Sequence, residues 1–106
     1  MNCHNLSDMV RGWFIGPFSP ALLDTSNFEC AVKRYAAGDS EGKHVHKIAT
    51  EFTVIINGRV RMNGQEYGDG DIVEVLPGEA ADFVALTDVT TFVVKVPAVK
   101  DDKYEC

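Results

Sequence analysis

The chain carries 106 residues, with ten Lys and Arg against sixteen Asp and Glu for a net charge of −6, and 45% of its residues are hydrophobic. That length suits one domain without a linker, and the acidic balance repels a phosphate backbone, so nucleic acid is not expected as a partner. No apolar stretch approaches the ~18 residues of a membrane span, and Met1 to Val10 lacks a basic start followed by an apolar run, so neither a membrane span nor a signal peptide is expected.

A helical apolar period is missing, while alternating and β-branched runs recur between Gly, Pro, Asn and Asp clusters, the pattern of an all-β chain. Strands are predicted over Trp13–Ile15, Phe28–Tyr35, Lys43–His46, Glu51–Ile56, Arg59–Met62, Gln65–Tyr67, Asp71–Leu76, Asp82–Leu86 and Thr91–Val96, a spacing that suits a sandwich or barrel. Ser19 to Leu23 predicts a single helical turn, with Ser19 as its cap and Pro20 at its first position. Asn57-Gly58 and Asn63-Gly64 predict two tight hairpins, because both residue types tolerate positive φ. Gly68 to Asp71 predicts a further turn, and Pro77-Gly78 ends the strand before it. The apolar set Phe52, Val54, Ile56, Val60, Met62, Val73, Val75, Phe83, Phe92, Val94 and Val96 is the expected core. Lys100 to Lys103 reads as a solvated tail. Trp13, Phe14 and Phe18 either pack over a sheet edge or make a dimer contact.

Cys3, Cys30 and Cys106 form an odd set without C-x-x-C spacing, which argues against a disulfide framework or a zinc knuckle and makes the cytoplasm the expected compartment. Cys3 and Cys106 are expected as free thiols and Cys30 as a buried one. His4 has no neighbours suited to metal. A chain this small buries only about 60–68% of its unfolded surface, which favours a homodimer.

His44 and His46 stand two apart, so on a strand both imidazoles leave the same face. Glu51 follows five residues later, enough to round a short turn and begin a neighbouring strand, with Thr53 and Ile55 on its face. Two imidazoles and a carboxylate form a facial triad suited to Fe, Mn, Zn or Ni as a divalent ion, with open positions for water or substrate. Hydrogen-bonded strand histidines and a surface carboxylate are the plainer alternative.

Gly38, His44, His46, Glu51 and Gly58 spell G, five residues, H, one residue, H, four residues, E, six residues, G, which resembles the first signature motif of the cupin superfamily at every fixed position. The second motif, G, five residues, P, one residue, G, two residues, H, is matched only at Gly70 and Gly78. Leu76 takes the proline position, with Pro77 one place later, and Ala81 stands where the family has another metal-binding histidine. Asp82 is adjacent, but strand alternation turns it outward unless a bulge re-aims it. The run His46 to Glu51 and the ending Asp102, Lys103, Tyr104 further resemble a clade of small single-domain cupins from bacteria and cyanophages; in a phage-encoded member the compartment is the host cytoplasm.

The resemblance implies a cupin-type conical β-barrel, a double-stranded β-helix or jelly roll, with a central pocket, a divalent metal in many members and frequent dimers. On it, residues 1–27 form an N-terminal extension, as edge strand or dimer arm, 28–98 the barrel and 99–106 a C-terminal tail. Three functions follow as alternatives. His44, His46 and Glu51 hold a metal that acts on a small polar metabolite, as in oxygenases, isomerases or lyases. A second possibility is a non-catalytic small-molecule binding or sensing module. The third is a metal-free sugar isomerase or epimerase, for which Glu51, Tyr35 and Tyr67 are the acid–base candidates.

Overall fold

The alternating runs do become strands. In the computed structural model, which describes residues 1–106, they are β1 (Trp13–Ile15), β2 (Glu29–Tyr35), β3 (Ser40–Val45), β4 (Thr50–Asn57), β5 (Arg59–Met62), β6 (Gln65–Gly68), β7 (Ile72–Val75), β8 (Ala80–Ala85), β9 (Val89–Val96) and β10 (Tyr104–Glu105). They form two five-stranded antiparallel sheets, ordered β1-β2-β9-β4-β7 and β10-β3-β8-β5-β6. This is the all-β double-stranded β-helix expected of the chain. The edge strand β1 pairs with β2 of its own chain, Trp13 opposite Ala31.

Strand parity decides which residues reach the interior. On β4 the odd positions Glu51, Thr53 and Ile55 face inward, and Ile55 is fully buried. Across the pleat, β9 contributes Val89, Thr91, Val93 and Lys95 to the same side, because Glu51 lies opposite Lys95, Thr53 opposite Val93 and Ile55 opposite Thr91. The buried cluster joins both sheets, with Ile55, Val75 and Val89 from the first and Val60, Met62, Ala81, Phe83 and Ala85 from the second, and with Tyr35, Tyr67 and Val73 packed against it.

The expected core is thereby corrected. Val60, Met62, Val75 and Phe83 belong to it, but Phe52, Val54, Phe92 and Val94 lie half-buried on the outer face of the first sheet, and Ile56 and Val96 are exposed. The more apolar parity of β4 and β9 lies outside, while the inward parity carries Glu51, Thr53, Thr91 and Lys95 beside Ile55, Val89 and Val93, so apolarity alone pointed to the wrong face.

Three local expectations also change. Asn63-Gly64 closes a two-residue hairpin, with φ of 49° and 80° and Met62 opposite Gln65, as read from sequence. Asn57-Gly58 does not, because β4 and β5 belong to different sheets. Only Gly58 takes positive φ there, at 98°, and a Cβ on it would collide with the Asp88 carbonyl. The helical turn at Ser19–Leu23 is absent. The Leu22 amide donates to Phe14 O and the Gly16 amide donates to Leu23 O, so this segment's backbone is committed to β1; the only helical turn is a 3-10 turn at Leu6–Asp8, capped by Asn5. The tail is not solvated throughout. Tyr104 and Glu105 pair with Val45 and His44 on β3, and Asp102 is buried at 5% exposure.

Parity makes a test of adjacent residues. Ile55→Ala should cost about 3 kcal/mol in urea unfolding, as expected for a buried Ile truncated to Ala. Ile56→Ala, at an exposed position, should cost less than about 1 kcal/mol.

Candidate metal centre and the cavity beside it

His44 lies near the end of β3, His46 one residue beyond that strand, and Glu51 near the start of β4. A bulge in β3 sets the first of these. Glu41 pairs with Phe83 and His44 with Ala81, so the register slips between them. Phe83 and Ala81 are both buried inward residues of β8. The slip therefore puts Glu41 and His44 on one face despite their odd spacing. The ligand atoms of His44, His46 and Glu51 lie within 4.8 Å of one another. The two imidazole rings are 5.2 Å apart at 83°, and His46 Nε2 is 3.9 Å from Glu51 Oε2.

Each imidazole is fixed from its far side. His44 Nδ1 donates to the Gly42 carbonyl at 3.0 Å, and His46 Nδ1 donates to the Asp102 carbonyl at 2.8 Å. With Nδ1 as donor, a neutral ring carries its lone pair on Nε2, which is the form a metal needs. His46 Nε2 is buried without any hydrogen-bond partner. An orphaned buried nitrogen beside a second imidazole and a carboxylate fits a divalent ion.

Asp102 holds the loop that joins the ligands. Its carboxylate accepts the Lys47 amide at 3.0 Å, the Ile48 amide at 3.1 Å and the Ala49 amide at 2.9 Å. Burial opposes ionisation of this carboxyl, but those three amides, with help from His46, outweigh it and hold its pKa below the usual value. Burial, followed by the nearby Lys95 charge, pushes the His46 pKa down, against the opposing pull of the Asp102 carbonyl and Glu51. His46 is therefore neutral at neutral pH.

The missing ligand of the second motif is now placed. Ala81 sits directly opposite His44, buried, with Phe83 and Ala85 on its face. Asp82 points away, as alternation requires: its carboxylate accepts the Asn63 amide at 2.7 Å, and its own amide donates to Asn63 Oδ1. No further His, Cys, Asp or Glu joins His44, His46 and Glu51 in their cluster. Glu51 opens into a cavity of about 440 Å³, which Tyr35 also lines while Tyr67 does not. Tyr35 donates to Glu41 at 3.2 Å. Its pKa is pushed far up by burial and by the Glu41 charge, so the phenol stays protonated.

Sequence reasoning missed several residues around this space. Lys33 reaches Glu41 at 3.3 Å and Lys95 reaches Glu29 at 3.6 Å. Trp13 covers both lysines, with its ring 5.6 Å from Lys33 Nζ and 5.1 Å from Lys95 Nζ. The signal available was a charge on the same parity as a small or apolar inward residue, Lys33 two after Ala31 and Lys95 two after Val93. Asp102 had no such signal, because its partners lie more than fifty residues away in sequence.

Fold and cluster together define a double-stranded β-helix that carries a His-His-Glu set at its interior, the architecture of the cupins. The chain matches a crystal structure of an uncharacterised conserved protein with a double-stranded β-helix domain from Klebsiella pneumoniae at 19% identity and a TM-score of 0.69, over 91% of this chain and 84% of that one. It matches the DMSP lyase DddQ from Ruegeria pomeroyi at 18% identity and a TM-score of 0.72, over 88% of this chain and 49% of the lyase. It also matches a cupin-superfamily sugar phosphate isomerase from Silicibacter pomeroyi at 24% identity and a TM-score of 0.62, over 67% of this chain and 51% of the isomerase. No protein-family profile and no curated protein sequence matches the chain; the narrower resemblance to bacterial and cyanophage cupins gains no support from them.

Asp102→Ala should orphan three amides and cost about 3 kcal/mol of stability, and it should weaken metal binding by about 10- to 100-fold through the loosened His46; chemical unfolding and metal titration measure the two. Acid should act in two stages on metal-free protein. His46 titrates below its ordinary 6.5 when folded, so the unfolded chain takes the proton first and stability falls as pH drops below about 6.5. Asp102 titrates below its ordinary 3.8, so its contribution is complete above that value and is lost as pH falls through the lower folded one. Urea unfolding at pH 7.5, 5.5 and 3.5 should give steadily falling midpoints.

Proposed function

We propose that this protein is a small metal-dependent cupin in which His44, His46 and Glu51 hold one divalent ion, Fe, Mn, Zn or Ni, and the adjoining cavity takes a small polar metabolite. The observation that carries this reading is the buried His46 Nε2 without a partner, beside His44 and Glu51. When bound, such an ion supplies Lewis acidity to a substrate oxygen. The chain supplies the rest. Gly42 and Asp102 hold the imidazoles in the metal-ready tautomer, Glu51 presents its carboxylate at the cavity wall, and Ala81 leaves space beside His44 where the family places another ligand.

A metal-free acid–base reaction is the second reading, supported by Tyr35, a protonated phenol hydrogen-bonded to Glu41 in the same cavity as Glu51. A non-catalytic binding module is the third, supported by the lost ligand at Ala81. The cytoplasm fits the three unpaired thiols of Cys3, Cys30 and Cys106. No helix is long and apolar enough to cross a membrane. A homodimer through the outer face of the first sheet is supported by its apolar character: Phe52, Val54, Phe92 and Val94 lie at its middle, and Ile72 and Val96 are 64% and 43% exposed around them.

Purified protein loaded with each metal in turn should retain close to one ion per chain by elemental analysis, and His44→Ala and Glu51→Ala should lose it. Wild type that stays metal-free after loading overturns the reading. Turnover of a metabolite panel that survives exhaustive chelation selects the acid–base alternative. Light scattering should report a dimer, and Ile72→Lys with Val96→Lys should give a folded monomer.

A further inference from the structure

Charge along the cavity lining, its mouth included, runs against that of the whole chain. Arg11, Lys33, Lys95 and Lys103 line it, four cations. They face three carboxylates, Glu29, Glu41 and Glu51. On a protein of net charge −6, the lining as a whole carries one more cation than carboxylates, with Arg11 and Lys103 exposed at its mouth and Lys33 and Lys95 half-buried within, and an ion held by the triad would raise the excess. Lys33 and Lys95 are 18% and 17% exposed, so water screens them weakly. Thr91 Oγ1, on the same wall, is buried with no hydrogen-bond partner. Trp13, Phe18, Phe83 and Val93 give the lining an apolar part, to which Ser19, Tyr35 and Thr53 add hydroxyls.

We infer that the cavity takes a small organic acid, its carboxylate against Lys33 and Lys95 and its body against Trp13, Phe83 and Val93. A cationic end selects an anion. An apolar wall selects an organic body over an inorganic ion, and about 440 Å³ falls at the small end of ligand pockets, which run from roughly 300 to 1,000 Å³. The Glu41 and Glu29 partners keep both lysines paired until the acid arrives, which lowers the cost of holding them in a half-closed space. The inference names the substrate class of the proposed site, yet the lysine end stands without the metal.

Trp13 is the chain's only tryptophan, so its fluorescence, excited at the red edge, reports this cavity alone. Benzoate and hexanoate, with the matched amides benzamide and hexanamide and with inorganic phosphate, are titrated into metal-free and zinc-loaded protein. At least one acid should give a saturable response about tenfold or more tighter than its amide. That preference should vanish in Lys33→Met and Lys95→Met and return in Lys33→Arg, with circular dichroism checking that each variant is folded. Amides that bind as tightly as acids, phosphate that binds as tightly as the better acid, unchanged acid binding in both Met variants, or no saturable response to either acid would each overturn the inference. Failure to retain any of the four metals refutes the metal reading alone, because acid–amide discrimination in metal-free protein does not depend on it.

Discussion

One carboxylate organises the candidate centre. The three amides of Lys47, Ile48 and Ala49 converge on Asp102, and the Asp102 carbonyl accepts a hydrogen bond from His46 Nδ1. Without that acceptor the chain between His46 and Glu51 would bury or strand successive donors, which is unfavourable by about 1–3 kcal/mol for each orphaned group. With it, the loop has one conformation and His46 one tautomer. The geometry of His46, near the middle of the chain, is thus set by a residue near its end, through backbone groups that carry no sequence signature of their own.

The first sheet explains how one small chain can hold both a charged cavity and an apolar exterior. Its inner face is apolar toward the Ile55 and Val89 end and charged toward the other, where Glu51 lies opposite Lys95 and Lys95 opposite Glu29. Each buried cation has a carboxylate beside it, which is the condition for keeping charges in a poorly hydrated space. The outer face is apolar along β4 and β9, since Phe52, Val54, Phe92 and Val94 occupy the opposite parity. Reversing the register of either strand by one residue would exchange the two faces and destroy both.

Much of this was legible in the residues. The spacing of Gly38, His44, His46, Glu51 and Gly58 pointed to the ligand set and to the fold, and Asn63-Gly64 located a hairpin, because positive φ at two successive positions is a local property of those residues. The same logic failed at Asn57-Gly58. There the chain crosses between sheets, and whether two strands pair is settled by the whole topology. The core prediction failed on β4 and β9 for a related reason: their more apolar parity lies outside, and which parity faces the interior is settled by where the second sheet packs.

The sequence by itself determined an all-β chain, the spacing that allows two imidazoles and a carboxylate to meet, and an alanine, Ala81, where the resemblance calls for a histidine. These are local: they follow from residue type, alternation and intervals along the chain. Only the tertiary structure decided that a bulge brings Glu41 onto the His44 face, that Asp102 clamps the ligand loop, that Lys33 and Lys95 lie under Trp13, and that Asp82 is spent on Asn63. Each joins residues distant in sequence or depends on a register slip, and interval and residue type do not encode which strand lies beside which.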